Sequence, residues 1–241
     1  MVRELVVATK NKKKLKEIKE ILSDLNFKIT SLEDYSKPPR IIENGLTFKD
    51  NAIKKAIKIA RFTKKLTLGE DSGLCVDALG GKPGVYSSRF SGDRGRPRAE
   101  LPEEVPSLTG RGRNARGSVR AQLGSTKDKS DQKNNLKVLK LLGEKPLSQR
   151  KANYICAAAL ADEKGLLGVV EGKCSGLIGF KEQGSHGFGY DPLFIIPKYK
   201  KTFAQLGEKI KHKLSHRYHA LKKVKKIIQK RLFRNILRNT V

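Results

Sequence analysis

The chain has 241 residues, enough for one large domain or two small ones around a buried core. Its three cysteines, Cys75, Cys156 and Cys174, are odd in number, far apart and flanked by apolar or small residues, which excludes a disulfide framework or a paired zinc spacing and fits a reduced, cytoplasmic protein. Lys and Arg number 52 against 24 Asp and Glu, and the resulting +28 attracts phosphate as nucleotide, nucleic acid or anionic lipid without choosing among them.

From the N-terminus, Glu4 to Ala8 reads as a short buried strand, and Leu15, Ile18, Ile21, Leu22 and Leu25 follow at helical spacing. No signal-peptide layout precedes that strand, and the longest apolar run, Ile155 to Ala161, falls far short of the roughly 18 residues of a membrane span, so no membrane insertion is expected. A second helix is predicted over Phe48 to Phe62, with Thr47 as N-cap, Asp50 three residues on, and Ala52, Ala56, Ile59 and Ala60 on its apolar side. Leu66 to Leu68 reads as another short strand. The stretch Asp93 to Lys129 is rich in Gly, Pro, Arg and Ser and lacks apolar periodicity, so it is expected to be a mobile, disordered insert. Asn135 to Leu142 reads as a third helix, and Ala152 to Asp162 with Leu166 to Glu171 as an antiparallel hairpin turned at Glu163-Lys164-Gly165. Leu214 to Arg234 closes the chain as a basic amphipathic helix, residues 218–241 forming a basic helix and tail. From Lys209 to Arg238 there is no acidic residue, which fits a solvated basic face first and a nucleic-acid or membrane surface second. The alternation of strands and helices argues for α/β or α+β architecture around a mixed sheet.

Four constellations carry chemistry. Thr9, Asn11 and Lys14 stand where the first strand gives way to a helix, a place whose free N–H groups suit a phosphate; a plain hydrophilic helix start is the competing reading. Glu43 beside Asn44-Gly45, and Glu70-Asp71-Ser72-Gly73 directly after a strand, offer the oxygen ligands that Mg²⁺ takes, although Asp71 as the cap of a turn fits the spacing equally well. In Gly184 to Pro192, three glycines around Phe188 suit a backbone close to a ligand and a flat face for a base, or else a turn with a core aromatic. Lys211 with Ser215-His216-Arg217 gathers an ammonium, a hydroxyl, an imidazole and a guanidinium; His212, His216 and His219 lack a partner that would make them a zinc site.

Taken in order, these blocks resemble the inosine triphosphate pyrophosphatase family, the Ham1-like pyrophosphatases of noncanonical purine triphosphates. The resemblance is carried by T-x-N-x-x-K-x-x-E from Thr9 to Glu17, E-N-G-L-T-F-x-x-N-A from Glu43 to Ala52 and E-D-S-G-L from Glu70 to Leu74. It continues in A-L-G-G-x-P-G-V-Y-S-S-R-F from Ala78 to Phe90, G-F-G-Y-D-P-L-F from Gly187 to Phe194 and S-H-R from Ser215 to Arg217, leaving out only the insert and the last two dozen residues.

The resemblance implies a single α/β domain: an elongated two-lobed fold with a long mixed sheet flanked by helices, a nucleotide cleft between the lobes, and a homodimer. It implies hydrolysis of inosine, deoxyinosine and xanthosine triphosphates to the monophosphate and pyrophosphate, with Mg²⁺ held by Glu43 and Asp71 and water activated by Asp71. Thr9, Asn11, Lys14 and Lys211 would bind the phosphates, Phe188 would stack on the base, and Asp191, Ser215, His216 and Arg217 would read or position it, with Ser72, Gly189 and Tyr190 in the same substrate-binding set. The sequence departs from the family pattern at His212, Gln205 and Glu182-Gln183, which bears on the finer base contacts and the cleft's charge. The alternative is a catalytically weak RNA-binding member of the same fold, its insert and C-terminal helix holding polyanions without specificity.

Overall fold

The computed structural model describes residues 3–92 and 126–239. Strand β1 (Arg3–Val7) feeds helix α1 (Lys12–Ile21), whose crossover returns the chain as β2 (Phe27–Ser31), parallel to β1 at one edge of the sheet. After an irregular stretch, Thr47 caps α2 (Phe48–Thr63) through a reciprocal bond with Asp50, and β3 (Leu66–Val76) pairs parallel to the other side of β1. Helix α3 (Thr126–Leu142) follows, then β4 (Lys151–Asp162) and β5 (Gly165–Ile178), a long antiparallel hairpin. Two short strands, β6 (Phe194–Ile196) and β7 (Lys201–Thr202), complete a mixed sheet of seven strands among the described residues, in the order β2-β1-β3-β4-β5-β6-β7. Helices α4 (Phe203–Leu206), α5 (Glu208–Leu214) and α6 (His216–Asn239) end the chain. The architecture is α/β, a mixed sheet flanked by helices, as expected.

Two apolar clusters share the long strands. One joins Leu5, Val7, Ile18 and Leu22 to Leu68, Leu160, Leu221 and Val224, and the other joins Leu74, Val76 and Tyr154 to Val138, Leu142, Phe194 and Phe203. Between Cys156 and Ala161, β4 is buried on both faces, and its small residues let helices approach from either side: α2 with Ala52, Ala56 and Ala60 on one, α6 with Ala220 and Leu221 on the other. Glycines set both crossings. A Cβ at Gly69 would run into the Ala52 carbonyl and the Ala56 amide, and one at Gly172 into the His216 carbonyl and the Ala220 amide. The two helices are therefore seated where Lys55 and Arg217 can reach β3.

Several predicted elements differ in extent. The strand expected to stop at Leu68 runs on to Val76, so Glu70 and Asp71 lie within it and neither caps a turn. Successive residues of a strand face opposite ways, which sends Glu70 toward α6 and Asp71 toward α2. The third helix starts at Thr126, nine residues before the expected Asn135, and takes in the last residues assigned to the insert; residues 93–125, on which the expectation of disorder mainly rests, lie outside the described residues. The last helix starts at His216, two residues after the expected Leu214, and runs to Asn239, while Leu214 ends the preceding α5. No helix among the described residues is long and apolar enough to cross a membrane.

Candidate active site

A cavity of about 620 Å³, within the size range of small-molecule sites, is lined by the β1–α1 corner, β3, the Phe188 loop and the start of α6. Of the sequence-predicted residues, Thr9, Asn11, Lys14, Glu43, Asp71, Ser72, Phe188, Gly189, Tyr190, Asp191, Lys211, His216 and Arg217 all line it. Ser215 does not. It is buried behind the wall, where its hydroxyl accepts from the Tyr218 amide and caps the first turn of α6, so the expected base contact is replaced by a structural one.

At the β1–α1 corner the side chains build the turn. Asn11 is the N-cap of α1, its Oδ1 accepting from the Lys13 and Lys14 amides at 3.1 and 3.4 Å, and Thr9 Oγ1 accepts from the Asn11 amide. Lys14 leaves the helix for β3, donating to Glu70 Oε2 at 2.8 Å and Ser72 Oγ at 3.2 Å.

On the α2 side of β3, both Asp71 oxygens have donors: Lys55 Nζ at 3.0 Å and Asn51 Nδ2 at 3.1 Å. Lys55 also reaches Glu43 Oε2 at 2.7 Å and the Glu70 carbonyl at 3.2 Å. Burial raises the Asp71 pKa, Glu43 adds to that, and the opposing pull of Lys55 and Lys14 only partly offsets it. Burial also works against the Lys55 charge, yet Asp71 and Glu43 outweigh it and hold the ammonium protonated. Lys55 and Asn51 carry no role in the motif reading. Their signal was present: two polar residues four apart on the face of α2 that otherwise carries alanines into the core.

On the α6 side, Glu70 and Glu17 form the centre of a buried ion network. Arg217 donates to Glu17 Oε2 through Nη1, and to Glu70 Oε1 at 3.0 Å and Ser72 Oγ at 3.2 Å through Nη2. Lys211 lies 2.7 Å from Glu17 Oε1 and 2.6 Å from Asp191 Oδ2, with its ammonium 4.5 Å from the centre of the Phe188 ring. Burial alone would raise both glutamates, but Arg217 and Lys211 pull Glu17 down to about 2, and Arg217 with Lys14 holds Glu70 well below the carboxylate range. Asp191 is raised by its burial, which its contact with Lys211 only partly offsets. His216 stacks on Tyr154 at 4.6 Å; burial and the Arg217 charge push its pKa well below the usual value, and its buried Nδ1 has no protein partner among the described residues.

The Phe188 loop is fastened from behind. Asp131 accepts from the Gly189 amide at 2.9 Å, Asn135 donates to the Gly189 carbonyl at 3.1 Å, and the Tyr190 hydroxyl donates to the Ser87 carbonyl at 2.8 Å. None of the four departures lines the cavity: His212 pairs with Glu20, Gln205 closes the cap of α4 with Thr202, Glu182 accepts from Asn135, and the Gln183 carbonyl accepts from Thr202.

A family model described as the Ham1 family matches residues 5–123 and 114–227. The chain belongs to the Ham1 family. A dITP/XTP pyrophosphatase from Desulforamulus reducens is 40% identical over 226 residues, covering 94% of this chain and 96% of its own length. One from Shouchella clausii is also 40% identical, over 95% of this chain and 98% of its own. Among solved structures, a HAM1 protein from Coxiella burnetii superposes with a TM-score of 0.73 at 31% identity, covering 95% of this chain and 99% of its own. The Ham1 protein of Staphylococcus aureus gives 0.72 at 30% identity over 95% of this chain and all of its own. The Ham1 blocks thus converge on one cavity with a carboxylate pair at one end and an aromatic face with fixed donors at the other.

Proposed function

We propose that this chain hydrolyses inosine, deoxyinosine and xanthosine triphosphates to the monophosphate and pyrophosphate. The observation that carries the reading is Asp71: a buried carboxylate of raised pKa, bridged through Lys55 to Glu43, in the same cavity as the Phe188 face. The names of the relatives carry two of these substrates, dITP and XTP, and lend no support to an RNA-binding role in place of catalysis.

The donor set fits Mg²⁺, which binds through one or two carboxylates, substrate phosphates and retained water, and Glu43 and Asp71 would hold it. When bound, the ion neutralises phosphate charge and lowers the pKa of water. Asp71 accepts the proton of the attacking water, while Asn51 and Lys55 fix the carboxylate's orientation. Lys14 and Lys55 meet charge developing on the phosphates. At the far end Lys211, expected among the phosphates, lies beside Phe188 instead; it and Arg217 can only donate, and Arg217 Nε is buried with no protein partner among the described residues. A 6-oxo purine presents an acceptor there and adenine a donor, a mismatch of about 1 to 3 kcal/mol, or roughly ten- to a hundredfold. The exposed Lys222, Lys223, Lys226 and Lys230 of α6 support the further proposal of non-specific polyanion binding. Pyrophosphate release from a panel of nucleoside triphosphates, with and without Mg²⁺, tests the reading; equal turnover of inosine and adenosine triphosphates would refute it.

A further inference from the structure

The cations around the cavity fall into two groups. Lys14, Lys55, Lys211 and Arg217 are all engaged with carboxylates: Glu70, then Glu43 and Asp71, then Glu17 and Asp191, then Glu17 and Glu70. Four positive charges thus face five negative ones, so this inner network is by itself slightly anionic. The second group is Lys10 and Arg40, which line the same cavity, are exposed, and have no carboxylate within ion-pair reach among the described residues.

Their place in the chain sets them among the phosphate and metal candidates. The network runs from Phe188 through Lys211, Glu17, Arg217 and Glu70 to Lys55 and Glu43. Arg40 lies three residues before Glu43 on the loop ahead of α2, its carbonyl anchored by Lys58 Nζ at 2.7 Å, and Lys10 lies between Thr9 and Asn11. Both therefore belong to the segments that carry Thr9, Asn11 and Glu43, and neither to the Phe188 loop.

We propose that Arg40, assisted by Lys10, binds the outer phosphates of the substrate, the part that leaves as pyrophosphate. This rests on the pyrophosphohydrolase reading above. A triphosphate brings several negative charges, more than Lys14 and Lys55 can meet while they stay paired with Glu70, Glu43 and Asp71. Arg40 is the uncommitted guanidinium whose planar fork matches phosphate oxygens. It selects triphosphates over monophosphates, because a monophosphate ends before reaching it.

The test is steady-state kinetics of the full chain with inosine triphosphate for wild type, Arg40→Gln, Arg40→Lys and Lys10→Gln. Arg40→Gln should raise KM about tenfold with kcat little changed, and weaken inhibition by inorganic pyrophosphate by a similar factor. Inhibition by inosine monophosphate should stay within about twofold, Arg40→Lys should recover part of the KM, and Lys10→Gln should show a smaller loss of the same kind. An unchanged KM, or equal weakening of monophosphate and pyrophosphate inhibition, would overturn the assignment. Calorimetric binding of inorganic tripolyphosphate separates the two readings. If wild type released no pyrophosphate from inosine triphosphate, the proposed function would fall, while weaker tripolyphosphate binding by Arg40→Gln would still support the anion site and equal binding would refute it.

Discussion

Lys55 Nζ lies 3.0 Å from Asp71 Oδ1, inside the cavity and nearly out of contact with solvent. The pair couples α2 to β3 at the point where Gly69 lets the helix backbone touch the strand, so the ammonium owes its place to a residue without a side chain. Its charge restrains the rise in the Asp71 pKa that burial and Glu43 impose.

Replacing Asp71 by Asn keeps shape and removes the proton acceptor. Pyrophosphate release should fall by about 10² to 10⁴-fold, with the thermal midpoint little changed. Retention of near-full turnover would remove Asp71 from the mechanism.

Lys55→Met should act through the same carboxylate by a different route. With the ammonium gone, burial and Glu43 act unopposed by it, so the acid limb of kcat/KM should move to higher pH. A loss of rate with the acid limb unmoved would mean that Lys55 serves the phosphates alone.

Arg217 is expected to matter to folding as much as to base selection. Its truncation leaves Glu17 and Glu70 short of a partner in the buried network, so Arg217→Met should destabilise by about 3 to 5 kcal/mol in denaturant titration. Adding Glu17→Gln removes one of the stranded charges and should recover part of that loss. If the double variant is no more stable than the single one, Lys211 alone suffices to hold Glu17.

The sequence placed the Ham1 blocks along the chain but not how they meet. Glu17, Glu70, Asp191, Lys211 and Arg217 come together from almost the full length of the chain, and no local periodicity encodes such a network. Helices with a clear apolar face, such as that of α2, were legible, and so was the β4–β5 hairpin. β6 and β7, three and two residues long, are too short to show a period of two. Glu70 and Asp71 were misplaced at a strand end because Ser72-Gly73 resembles a turn. Gly73 is instead required within the strand, since a Cβ there would meet Ser87 Oγ and the Gly84 carbonyl. Ser215 belonged to a motif yet serves as a cap, which motif membership cannot distinguish from a ligand contact.

Gly172 offers a test of helix seating. A methyl group at this position meets the backbone of α6 at His216 and Ala220, and backbone cannot swing aside. Gly172→Ala should destabilise by about 1 to 3 kcal/mol, several degrees in Tm, and weaken inosine triphosphate binding by displacing His216 and Arg217 together. An unchanged Tm would show that α6 tolerates a shift away from β5.

His216 ties acid stability to the site. In the folded protein, burial and Arg217 keep this imidazole neutral, with its pKa well below 6.5, whereas in the unfolded chain it titrates near that value. A depressed histidine contributes fully above about pH 6.5, and its contribution is lost as pH falls, because the unfolded chain takes up a proton that the folded one refuses. The limiting slope is about 1.4 kcal/mol per pH unit. Glu17, depressed to about 2, adds a second loss only below the usual glutamate range near 4.5, while Asp71 and Asp191, both raised, act in the opposite sense. The window between about pH 6.5 and 5 therefore isolates the imidazole when wild type is compared with His216→Gln, which cannot titrate. Unfolding free energies from urea titrations at half-unit steps should fall more steeply for wild type than for the variant across that window, whatever the offset caused by losing the stack on Tyr154. Parallel curves would mean that His216 accepts a proton in place, which would make it a cationic donor to the substrate.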